Sequence, residues 1–96
     1  RIVLLTLKHK DEPIVTTAAQ KLANSLRQDL KEYIIGPAAP VVKRIRNQYR
    51  MNVLIKLPKE QGMSGTYKKI IRNHINLLNS EKGFKSVTVV VDVDTN

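Results

Sequence analysis

Lys43, Arg44, Arg46 and Arg50 gather four cations into eight residues, and Tyr49 lies among them. Guanidinium groups fork onto phosphate or carboxylate oxygens, and a tyrosine ring adds a surface on which a base can stack. Lys56 and Lys59 continue the basic run, and no acidic residue occurs between Glu32 and Glu60. Across the chain, 17 Lys and Arg against 8 Asp and Glu give a formal charge of +9. Such an excess is the footprint of a protein that meets a polyanion, either nucleic acid or an acidic peptide. The bland alternative is a lysine-rich solvated surface, but a solvated surface mixes its signs and this window does not. Tyr49 has a second reading too, as a core residue on the apolar face of its strand.

Other chemistry is sparse. His9 stands at the end of an apolar run and His74 on or beside the apolar face of a helix, too few ligands for zinc. Asp92 and Asp94 alternate on a terminal strand, sharing a face about 7 Å apart. They could hold a cation or move a proton, or simply pair with Lys85 or the basic strand as edge charges. Neither GxxxxGK[ST] nor GxGxxG occurs, which excludes nucleotide binding through a glycine-rich loop. With no cysteine there is neither a disulfide framework nor a thiolate metal site, as suits a reducing cytoplasm. No constellation for catalysis emerges, so the expectation is a binding domain without a cofactor.

The elements that must position these groups follow from periodicity. Ile2 to Lys8 is a short β-forming run. Asp11 or Glu12 suits a helix N-terminus and Pro13 its first turn. Val15, Ala19, Leu22, Ala23, Leu26 and Leu30 then recur at helical spacing, predicting a helix over Pro13 to Glu32. YIIGP is a very short strand, and Pro37 and Pro40 stiffen the linker after it. Tyr49, Met51, Val53, Ile55 and Leu57 alternate along a longer strand that Pro58 stops, with Leu54 interrupting its polar face. A second helix carries Tyr67, Ile70, Ile71, Ile75 and Leu78 inward, with Ser64 or Thr66 as N-cap and Gly83 at a left-handed turn beyond its end. The last strand places Val87, Val89, Val91 and Val93 on one face. Ninety-six residues allow one domain. The order β-α-β-β-α-β predicts an α+β, ferredoxin-like fold with two helices on one face of a four-stranded antiparallel sheet. An RNA-recognition motif shares that order but needs aromatic rings on its central strands, and IVLLTL and NVLIKL have none. No run is apolar for long enough to span a membrane.

Gly36-Pro37, the alanine and proline that follow, the basic RIRNQYR, the strand VLIKLP and the ending VDVD together resemble the C-terminal domain of the primosomal replication-restart helicases, the PriA or primosomal protein N′ family. IVLLTLKHKD matches the segment after the last helicase motif, so the resemblance spans most of the chain, and the start at Arg1 fits a piece of a longer polypeptide. The resemblance implies a ribosomal-S10-like fold and an accessory role beside a bacterial, ATP-dependent 3′–5′ DNA helicase. ATP, Mg and zinc would belong to that parent and to no residue here. It further implies forked or single-stranded DNA as a partner, and the charge pattern read above assigns its backbone to Lys43, Arg44, Arg46 and Arg50, with Tyr49, held without sequence preference. The acidic tail of single-stranded DNA-binding protein and the helicase core are the implied protein partners. Lys59, just past the strand-ending proline, stands where the family has a docking cation, and Lys56 lies beside it. A docking module with little DNA affinity of its own, or an S10-type RNA-binding protein, are the alternatives.

Overall fold

Odd-numbered side chains of Ile2–His9 (β1) are apolar up to His9, and Val3, Leu5, Leu7 and His9 are all buried. The chain is seen in a computed structural model that describes residues 2–42, 44–58 and 65–93. Lys43, Lys59, Ser64 and Asp94, singled out above, lie outside the described residues.

The first helix, Glu12–Leu30 (α1), starts from an extended Asp11 with Pro13 in its first turn. Asp11 gives no side-chain cap; instead its N–H donates to His9 Nδ1 at 2.9 Å, while His9 Nε2 lies 2.8 Å from Ser86 Oγ. Because Nδ1 accepts, the neutral ring carries its proton on Nε2 and donates it to the serine. His9 therefore ties the start of α1 to the approach of the last strand. The apolar stripe of α1 is buried as predicted, with Ala18 added. The helix stops two residues short of Glu32, at Leu30, and Lys31–Tyr33 form a 3₁₀ turn with Lys31 at φ 48°.

Ile34–Ala38 (β2) shifts register between Ile35 and Ala38, around Gly36 at φ 104°. A Cβ on Gly36 would stand 3.2 Å from both the Ala38 nitrogen and the Asn52 carbonyl oxygen, which are backbone atoms that cannot swing aside. Gly36→Ala is accordingly expected to cost about 1–3 kcal/mol, seen as a lower urea midpoint at unchanged slope.

Arg44–Ile45 (β3) and Gln48–Lys56 (β4) form a hairpin, and Gly65–Ser80 (α2) leads to Thr88–Val93 (β5). The sheet order is β2-β4-β1-β5, all pairs antiparallel, with the short β3 added to β4. Setting β3 aside, that is the ferredoxin-like arrangement the element order predicts. The short β3, which makes β4 one arm of a hairpin, is an addition to the four strands expected. Thr66 falls inside α2 and so is not its N-cap, whereas Gly83 takes its left-handed turn at φ 98°. No helix among the described residues is long and apolar enough to cross a membrane.

Register sorts the sheet into two faces. Val3, Leu5, Leu7 and His9 align with Ile55, Val53, Met51 and Tyr49 on β4, and this face meets both helices. Its aliphatic core runs through Leu22, Leu26, Ile71, Ile75 and Leu78. Val91 departs from expectation: it belongs to the helix-covered face yet remains 37% exposed, at the sheet edge beside α2. The opposite face bears Leu4 beside Leu54, Thr6 bonded to Asn52 at 3.2 Å, and Lys8 beside Arg50. Leu54 is half-buried there between Leu4 and Ile35, which accounts for its place on a polar face.

Candidate nucleic-acid interface

The hairpin turn consists of Arg46 and Asn47 alone, with φ of 52° and 64°. Positive φ at both central residues matches the twist of two paired strands, which is why two-residue hairpin turns favour Asn and Gly. Asn47 tolerates the conformation; Arg46, with a long side chain, is strained by it. Arg46→Asn should therefore raise stability by about 0.5–1 kcal/mol, read as an upward shift of the urea midpoint.

The turn splits the cations between two sides. Arg44 is opposite Tyr49, and Tyr49 is opposite His9, which puts both on the side of the helices. The Arg44 guanidinium carbon is 5.4 Å from the Tyr49 ring centre, and its Nη2 donates to Asn47 Oδ1 at 3.0 Å. Tyr49 is half-buried against the core. Its ring is thus stacked on a cation of its own chain, with the core behind.

Arg50 points to the open face. Across β1 it is aligned with Lys8, and Lys8, Ile45, Arg46, Gln48 and Arg50 line a cleft of about 360 Å³. Arg50 Nη2 donates to the Val42 carbonyl at 2.7 Å, anchoring the linker after β2, while its Nε is buried and finds no acceptor among the described residues. No carboxylate among the described residues lies within 4.0 Å of Lys8, Arg44, Arg46, Arg50 or Lys56. Found among the described residues are the Lys21–Glu81 ion pair at 3.3 Å and a hydrogen bond between His74 Nε2 and Asp29 Oδ2 at 2.6 Å. Lys56 shares the open face but sits six residues along β4 from Arg50, about 20 Å away.

The single shoulder expected from the sequence is therefore a hairpin with Arg44 and Tyr49 on one side and Arg50 on the other. Lys8 was missed, being 42 positions from Arg50 in the chain; its parity with Thr6, outward on a strand whose odd residues are apolar, was the available signal. Asp92 lies on the open face opposite Leu4, about 13 Å along β1 from Lys8. No group of three metal-ligating side chains occurs among the described residues. His74 is buried between the helices, with Asp29 on Nε2 and the Ser25 hydroxyl on Nδ1, a polar clamp joining α2 to α1.

Among the solved structures that share this architecture are two de novo designs. Foldit4 superposes with a TM-score of 0.67 at 13% identity, covering 99% of this chain and 96% of its own. LFR1 1, a design with ferredoxin fold, gives 0.56 at 15%, covering 99% and 88%. These likenesses concern the fold alone. The sequence says more: the family model for the primosomal protein N C-terminal domain matches residues 1–96. The chain belongs to that family. As a primosomal protein N C-terminal domain, it is 26% identical over 97 aligned positions to the replication restart protein PriA of Bacillus subtilis (strain 168). The alignment covers 99% of this chain and 11% of that relative, so the domain corresponds to a small part of a PriA chain.

Proposed function

We propose that this domain holds the sugar–phosphate backbone of DNA during replication restart, as the accessory DNA-binding and partner-docking module of a PriA-type helicase. The supporting observation is the open-face cleft, where Lys8, Arg46 and Arg50 converge with no carboxylate near them among the described residues. Cations contacting phosphates give affinity with little sequence preference, which fits forked or single-stranded DNA taken without regard to sequence. The open face carries no aromatic ring among its described residues, so base stacking adds little. In this reading the domain performs no reaction, and ATP, Mg and zinc act in the rest of the parent.

Fluorescence anisotropy with labelled forked and single-stranded oligonucleotides tests the reading. Binding at 50 mM salt should weaken steeply by 200 mM and be the same for scrambled base sequences. Absence of binding at the lower salt, or affinity indifferent to salt, overturns it.

A second role rests on Lys56. It is exposed beside Ile2, itself 36% exposed, and Ile35 nearby is 48% exposed. A cation next to apolar side chains suits an acidic tail that ends in an apolar residue, as docking of single-stranded DNA-binding protein requires. Titrating such a peptide against Lys56→Glu checks it: equal affinity for the variant and the parent sequence removes Lys56 from that role.

A further inference from the structure

The other end of the molecule carries a site of different chemistry. β5 forms one edge of the sheet, paired to β1 on one side and to no strand among the described residues on the other. An edge strand offers a row of backbone N–H and C=O groups to any extended chain that can lie beside it. Beside this edge, α2 leaves a groove of about 300 Å³. Its floor is apolar, formed by Ile71, Ile75, Val91 and Val93, and its rim carries Lys68 and Arg72. α2 contains no acidic residue, and neither rim cation has a carboxylate within 4.0 Å among the described residues.

We propose that edge β5 and this groove form a β-addition site for an extended peptide segment that is acidic at one end and apolar at alternate positions beyond it. Three observations converge on that occupant. The open edge supplies the main-chain ladder, and the strand period of two sends every second side chain of an added strand toward Ile71 and Ile75. The rim cations, one helical turn apart, then meet carboxylates at one end of that strand. A second copy of the chain fits less well: antiparallel pairing of two β5 edges brings together two domains of formal charge +9. The groove is on the helix side and at the far end of β1 from Lys8, so the site is independent of the DNA cleft.

The probe is a fluorescein-labelled peptide, Glu-Glu-Val-Thr-Val-Thr-Val-Glu-Glu, titrated against the intact domain by anisotropy, with amide shifts mapped by NMR. Binding should move the amides of residues 88–93 and 68–75. Replacing the four glutamates by lysine should weaken it by about ten-fold, and Arg72→Glu, an exposed helix substitution that leaves the core alone, by about five-fold. N-methylation of the central valine and its neighbouring threonines should weaken it at least about ten-fold without altering the protein, because it removes the ladder donors. Equal binding of the N-methylated peptide, shifts confined to the Lys56 or Lys8 neighbourhoods, or no binding at millimolar peptide each overturn the proposal. So does concentration-dependent dimerisation through residues 88–93, which would give the edge to a second copy.

Discussion

A Lys8→Glu, Arg46→Glu double variant should bind single-stranded DNA roughly 100-fold more weakly than the parent at 50 mM salt, and its log–log salt dependence should flatten by roughly 1.5. Each phosphate neutralised by a protein cation contributes about 0.7 to that slope for a single strand, close to an order of magnitude in affinity at this salt. Both substitutions are compatible with the fold. Lys8 is on the open face of β1, and Arg46 is an exposed turn residue whose φ of 52° a glutamate meets at the same Cβ cost. Arg50 is left intact because its bond to the Val42 carbonyl holds the linker, so its loss would confound binding with folding. Arg44→Glu, on the other side of the hairpin and stacked on Tyr49, serves as the comparison and should lose several-fold less. If Arg44→Glu weakens binding as much as the double variant, the DNA runs over the helix side and the open-face cleft is not the contact surface. Circular dichroism and the urea midpoint, recorded on each variant, establish that the folded domain is being compared.

What the sequence made legible was governed by local periodicity. Val15, Ala19, Leu22, Ala23, Leu26 and Leu30 repeat at helical spacing and are all buried on α1, because a 3.6-residue period can present one stripe to a sheet. The alternation from Tyr49 to Leu57 likewise survives in β4, fading toward Tyr49 and Met51 where the cover thins. The hairpin was not legible. Two-residue turns announce themselves through Asn-Gly or Asp-Gly, and here Arg46 occupies a position whose φ its side chain disfavours. Without the turn, Arg44, Arg46 and Arg50 look like one patch; with it, pairing of Arg44 to Tyr49 fixes opposite parities for Arg44 and Arg50.

Long-range partners were the other blind spot. Lys8 reaches Arg50 only through the β1–β4 register, and His74 finds Ser25 and Asp29 only because α2 lies against α1. Helical spacing put His74 on or beside the apolar face of its helix but gave no sign of which polar atoms satisfy it. The exposed edge at Val91 was invisible for a related reason. Strand patterning says which face a valine takes, whereas cover depends on how far α2 extends over β5.

Replacing Leu5 with alanine is expected to destabilise the domain by about 3–5 kcal/mol, against a total of about 5–15 for a domain of this class. Leu5 is fully buried at the middle of β1, an interior strand, with Val53 on one side and Val91 on the other in register. The helices close over it from above, so there is little free neighbouring chain to collapse into the space, and the cost should lie high in the range for such truncations. Ile35→Ala removes an aliphatic side chain as well, but Ile35 is on the open face and 48% exposed, and its loss should cost about 1 kcal/mol or less. Urea denaturation of both variants, followed by far-ultraviolet circular dichroism, measures the contrast. Comparable losses would mean that the open face is covered in solution and buries as much as the helix side. That result would also close the Lys8–Arg50 cleft to DNA, since the cleft and Ile35 share one surface of the sheet.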